Sequence, residues 1–104
     1  MEASAPQPEQ LLRARVRMPE HVVYRDFGNE TVILNLDSGM YHGLNQTAAV
    51  MVERLNGAGS VDEAVDALTA EFDQPRDVIE HDVLNLCGQL IARGLVETDG
   101  GGGG

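Results

Sequence analysis

Residues 31–49 read TVILNLDSGMYHGLNQTAA. Val32, Leu34 and Leu36 recur at a spacing of two, the repeat of a strand with one buried face. Asp37-Ser38-Gly39 then forms a turn, because Asp and Ser bond back to nearby backbone and Gly tolerates positive φ. Met40 to Leu44 runs back as a second short strand. Asn45 can accept the first free N–H groups of a helix that starts at Gln46. This one stretch therefore prescribes strand, hairpin, strand and helix start in immediate succession.

Upstream, residues 21–27 (HVVYRDF) are rich in strand formers. Gly28-Asn29 is a turn signal, so the chain makes a three-stranded antiparallel meander. Leu12, Ala14, Val16 and Met18 alternate weakly with arginines, which fits extended structure or a short arm. Residues 1–10 are polar, carry two of the four prolines and are expected to be disordered. Downstream, Ala48, Met51, Val52 and Leu55 form the apolar stripe of a first helix, which NGAGS at 56–60 breaks. Ser60 and Glu63 make a capping box for a second helix with Val61, Ala64, Val65, Leu68 and Phe72 inward. Pro75 pre-sets the first turn of a third helix, which Gly94 ends. Leu95 and Val96 are expected to pack back. The fold class is thus α+β: a three-stranded antiparallel sheet followed by three helices, similar to a winged helix, in one domain at residues 11–99. The five glycines at 100–104 read as a linker or tag.

Seven basic residues against 17 acidic ones give a net charge of −10. That excludes ordinary phosphate-driven nucleic-acid binding, and with it a winged-helix regulator as the first choice. It also opposes anionic membranes. Cys87 is the one cysteine, so no internal disulfide can form and a reduced, cytoplasmic setting is expected. No apolar run is long enough to span a bilayer.

Chemistry is sparse. His21, His42 and His81 have no helical metal-ligand spacing, and Cys87 has no basic neighbour to activate it. The acidic residues on the helices are explained by first-turn electrostatics and solubility. Ser38 is set between two strands, unlike the helix-opening serine of acyl carrier proteins. The terminal glycines follow a helix, unlike the tail of a ubiquitin-like sulfur carrier. No catalytic residue, metal or cofactor is expected. What remains is surface. Strand 40–44 ends the meander, so one side of it can be an open edge able to pair with an extended peptide. On the last helix Ile79, Val83, Leu86 and Leu90 form a core row. Leu84, Cys87 and Ile91 form a second row with Gly88 at its border; this row is either a wide core face or the wall of a groove.

VILNLDSGMYHGLNQTAAVMVERLNG, SVDEAVDALTAEFD and DVLNLCGQLIARGLVE, taken in this order, resemble the PqqD-like recognition elements of ribosomally made, modified peptides. The resemblance spans roughly residues 20–97, through LNQTA (44–48), Asp82-Val83 and GLVE (94–97). It implies a non-catalytic adaptor that binds the leader of a precursor peptide as an added antiparallel strand and presents it to a separate modifying enzyme. Carried over by position, the docking strand is Met40, Tyr41, His42, Gly43 and Leu44. The facing helix positions are Leu84, Cys87, Gly88 and Ile91, with Glu80 at the end of the groove. The compact LDSGMYHGLN looks more like the stand-alone proteins of lasso-peptide pathways, which serve a leader peptidase and cyclase. The alternative is the pyrroloquinoline quinone type, which serves a radical-SAM enzyme.

Overall fold

The computed structural model of the chain describes residues 7–28 and 30–100. Its first element is helix α1 (Pro8–Arg13), opened by a proline at the first helical position, where a missing N–H costs nothing. Strand β1 (Ala14–Arg17) follows directly, with Ala14 and Val16 buried and Arg15 and Arg17 exposed. The three strands β2 (Val22–Asp26), β3 (Thr31–Asn35) and β4 (Tyr41–Leu44) form an antiparallel sheet in the order β2-β3-β4. Helices α2 (Gln46–Gly57), α3 (Val61–Phe72) and α4 (Arg76–Ala92) come next. Strand β5 (Glu97–Gly100) then pairs antiparallel with β1.

The meander and the three helices form where the sequence pattern places them. The inward face of β3, however, is Thr31, Ile33 and Asn35 rather than Val32, Leu34 and Leu36; Val32 and Leu34 are half-buried and Leu36 is exposed. The ends of the chain also depart from the pattern. Pro8 to Gln10 are helical rather than disordered. Residues 1–6 and 101–104 lie outside the described residues, as does Asn29 of the expected turn. Gly100 belongs to β5, opposite Ala14, and not to a separate tail. In ETDG only Thr98 favours a strand, since Glu, Asp and Gly are depleted there. β5 forms because Leu95 and Val96, both buried, hold the chain against the core and aim it along β1. The added sheet anchors the N-terminal arm, with β1 against α2 and α3, and α1 against α3 and α4.

Local chemistry explains each boundary. Asn45 caps α2 by accepting from the Ala48 N–H, and Ser60 caps α3 by accepting from that of Glu63. Pro75 is the cap of α4 rather than part of its first turn; its carbonyl accepts from Val78 and Ile79. The C-terminus of α4 is a double-bonded glycine cap. Gly94 has φ of +69°, its N–H reaches the Ile91 carbonyl, and the Leu95 N–H reaches Leu90. The core is aliphatic and continuous. Ile33 and Leu44 of the sheet meet Val52 and Leu55 of α2, Val65 and Leu68 of α3, and Val83, Cys87 and Leu90 of α4.

Candidate functional site

β3 ends at Asn35, short of Leu36, the last residue of the period-two spacing. The reason is the Asn35 side chain. Its Oδ1 accepts from the N–H groups of Asp37 and Ser38, which folds the turn, and its Nδ2 donates to the Gly94 carbonyl at 3.0 Å. Asn35 is buried, and this tether joins the β3–β4 hairpin to the end of α4. Ser38 serves the same turn, accepting from the Met40 N–H.

β4 pairs with β3 in the register Thr31 with Leu44, Val32 with Gly43, Ile33 with His42 and Leu34 with Tyr41. On its other side no strand pairs with it among the described residues. The Asn35 N–H donates to the Met40 carbonyl, so that opposed pair is of the hydrogen-bonded kind. In an antiparallel ladder the bonded pairs alternate. Met40, His42 and Leu44 therefore turn their backbone groups toward β3, whereas Tyr41 and Gly43 turn theirs toward the open edge. Side chains alternate as well. Leu44 is buried and His42 half-buried on the helix-facing side, while Tyr41 is 60% exposed on the other. Gly43 has no side chain to screen the edge, and a Cβ there would meet only the Glu30 carboxylate.

The flank of α4 that faces β4 is set by one contact. Arg93, at the C-cap of α4, donates from Nη1 to the Tyr41 carbonyl at 3.0 Å. From there a furrow runs back along α4. A cleft of about 210 Å³ lies between Asn45, Thr47, Ala48 and Met51 on one side and Asp82, Asn85, Leu86 and Gln89 on the other. It continues as a second cleft lined by Thr47, Met51, Phe72, Val78, Ile79 and Asp82. From Val78 to Arg93 the helix rises about 22 Å, the length of six or seven extended residues. The floor is apolar (Ala48, Met51, Leu86, Ile79) and the rim polar (Thr47, Asp82, Asn85, Gln89). Val78 is one of the exposed large hydrophobics.

The helix positions expected from the resemblance do not line this furrow. Each residue turns an α-helix by about 100°, which places Leu84 and Ile91 almost opposite Arg93, and Gly88 well away from it. Leu84 and Ile91 instead pack half-buried onto the core. Cys87 is fully buried; burial pushes its thiol up to about 12. Glu80 accepts from Arg76, which also bonds Asp62 and Asp66 of α3. Leu84, Gly88 and Ile91 thus keep part of their surface exposed on the face of α4 turned away from the furrow, and α4 packs against α1 as well as α3. The wall is formed by Asp82, Asn85, Leu86 and Gln89, which line the clefts, and continues on the same helix face to Arg93. Periodicity misses it because four of these five are polar and Leu86 reads as core. The spacing 82, 85, 86, 89, 93 is nonetheless a single helical stripe, legible once the neighbour of α4 is known.

Electrostatics at the furrow mouth are local. Burial first, then the Arg93 guanidinium, hold the pKa of His42 below the usual imidazole value. Among the described residues no group of His, Cys, Asp or Glu side chains is placed to hold a metal ion. No helix among them is long and apolar enough to cross a membrane.

Two solved structures share this fold. One is described as TbiB1 in complex with the TbiA(beta) leader peptide; it is 28% identical, with a TM-score of 0.69 over 78% of this chain and 94% of that one. The other is lasso peptide synthetase B1 complexed with the leader peptide, 30% identical with a TM-score of 0.71 over 81% of this chain and 99% of that one. Comparison with curated proteins gives no significant match. The family model described as coenzyme PQQ synthesis protein D matches residues 30–96, from the start of the β3–β4 hairpin through α4 to Val96. The chain belongs to the PqqD family.

Proposed function

We propose that this protein is a leader-binding adaptor without chemistry of its own. A precursor's leader would add as an antiparallel strand to β4, bonding through the outward backbone groups of Tyr41 and Gly43. Its side chains would enter the furrow beside α4. Main-chain bonds would supply sequence-tolerant affinity, and the apolar floor at Ala48, Met51 and Leu86 would supply choice. The bound precursor is then presented to a separate modifying enzyme, in the cytoplasm, where the core thiol of Cys87 stays reduced.

The observation that carries this reading is an edge of β4 that no strand pairs with among the described residues, bonded through Arg93 to the helix that walls the apolar-floored cleft. The two similar structures, both described with leader peptides, support it and favour a lasso-peptide setting with a leader peptidase as the enzyme. The description of the matching family model favours a second setting, delivery to a radical-SAM enzyme in pyrroloquinoline quinone synthesis. Calorimetric titration with the leaders of both kinds of precursor tests the proposal and separates the settings. Wild-type protein should bind one of them at micromolar or tighter concentration, and Tyr41→Pro should lose that binding with its circular dichroism intact. Equal binding by Tyr41→Pro would refute strand addition.

A further inference from the structure

Arg93 stands where the proposed peptide has to bond, and its role rests on that strand-addition reading. Its Nη1 donates to the Tyr41 carbonyl, which faces the open edge. A strand pairing with Tyr41 brings an N–H to the same oxygen. A carbonyl oxygen has two lone pairs, so Arg93 can share it or swing aside. Either way the guanidinium stays against the peptide, because its stem is fixed at the end of α4. Strand alternation decides which peptide side chains it meets. The residue opposite Tyr41 points, like Tyr41, away from the helices, and its two chain neighbours point toward α4.

The other charges of the chain sharpen the case. All seven cations are arginines. Arg17 is paired with Glu97, Arg54 with Glu71, and Arg76 with Asp62, Asp66 and Glu80. Of the other four, Arg13, Arg15, Arg25 and Arg93, none is paired with a carboxylate among the described residues, and among these Arg93 is the one that bonds the β4 backbone. Asp82, in the cleft, lies about 16 Å from Arg93 along the helix. An acidic protein thus presents a cationic fork at one end of its furrow and a carboxylate further along.

We propose that Arg93 is a specificity-determining residue: it selects peptides with an aspartate or glutamate next to the residue that pairs with Tyr41. The guanidinium's planar donors match a carboxylate two bonds at a time, and release from the Tyr41 carbonyl frees them for it.

Random dodecapeptides displayed on phage, selected against the wild-type protein and against Arg93→Glu, test this. Each selected peptide is then re-measured on Tyr41→Pro. Arg93 is exposed, and circular dichroism verifies that the variant folds. Wild-type selections should converge on one acidic position, and Arg93→Glu selections on Lys or Arg at that position. Replacing the selected acid by its amide should weaken binding about two- to fivefold on wild type and leave Arg93→Glu unharmed. Peptides that need Tyr41 but show no acidic preference, with Arg93→Glu selecting the same set, would overturn the role of Arg93 while strand addition stands. Peptides that bind Tyr41→Pro as well as wild type would overturn strand addition, and this proposal with it.

Discussion

Single side chains set the mouth of the furrow. Asn35 bonds the hairpin turn through one oxygen and the α4 cap through its amide. Asn35→Ala removes three hydrogen bonds made by a buried side chain and should cost about 1–3 kcal/mol in urea denaturation. Leader affinity should fall with it, because the tether holds β4 beside α4. A variant as stable as wild type would remove Asn35 from the account. Gly88 tests the opposite flank. A Cβ there meets nothing within 4 Å, and Gly is a poor helix former. Gly88→Ala should therefore stabilise the protein by about 0.5–1 kcal/mol without changing leader binding. Weakened binding would return Gly88 to the groove, where the family resemblance puts it. His42 carries a pH dependence. Its pKa is lowered in the folded chain, by burial and then by Arg93, while the unfolded chain protonates near pH 6.5. The unfolded state then holds more protons below that value, so stability should fall as pH drops through about 6.5 toward the lower folded pKa. His42→Gln should flatten that part of a plot of Tm against pH.

Elements decide which of these residues can act together. The hairpin, the caps and the three helices are legible in the sequence because each rests on local chemistry: Asp37-Ser38-Gly39, Asn45, Ser60 with Glu63, and Gly94. Strand β4 is legible for the same reason, as the last strand before a capped helix. The facing wall is not. Leu84, Cys87 and Ile91 stand out in the sequence because they are apolar, yet the structure uses them for packing. Asn85 and Gln89 are inconspicuous until β4 and α2 are seen beside them. β5 is hidden in the sequence because its pairing with β1 joins distant parts of the chain. The wall can be tested directly. Gln89 is exposed on the furrow rim, so Gln89→Trp should keep the fold and weaken leader binding about tenfold by filling the cleft. Unchanged affinity in calorimetry would move the peptide elsewhere.

At the scale of the whole molecule, the core thiol reports on global opening. Cys87 is the one cysteine and is fully buried, with its thiol pushed up to about 12. Labelling by a thiol reagent should need unfolding, and a bound leader should slow it by stabilising the folded state. Labelling at the rate of a free thiol would contradict the packing described. The claim that joins fold to function is that β4 accepts a strand. Amide hydrogen exchange, read residue by residue with and without saturating leader peptide, tests it most directly. The His42 amide, already bonded to β3, should be protected in both states. The Tyr41 and Gly43 amides should exchange freely in the unbound protein and become protected in the complex. Fast exchange at Tyr41 and Gly43 with the leader fully bound would contradict the account.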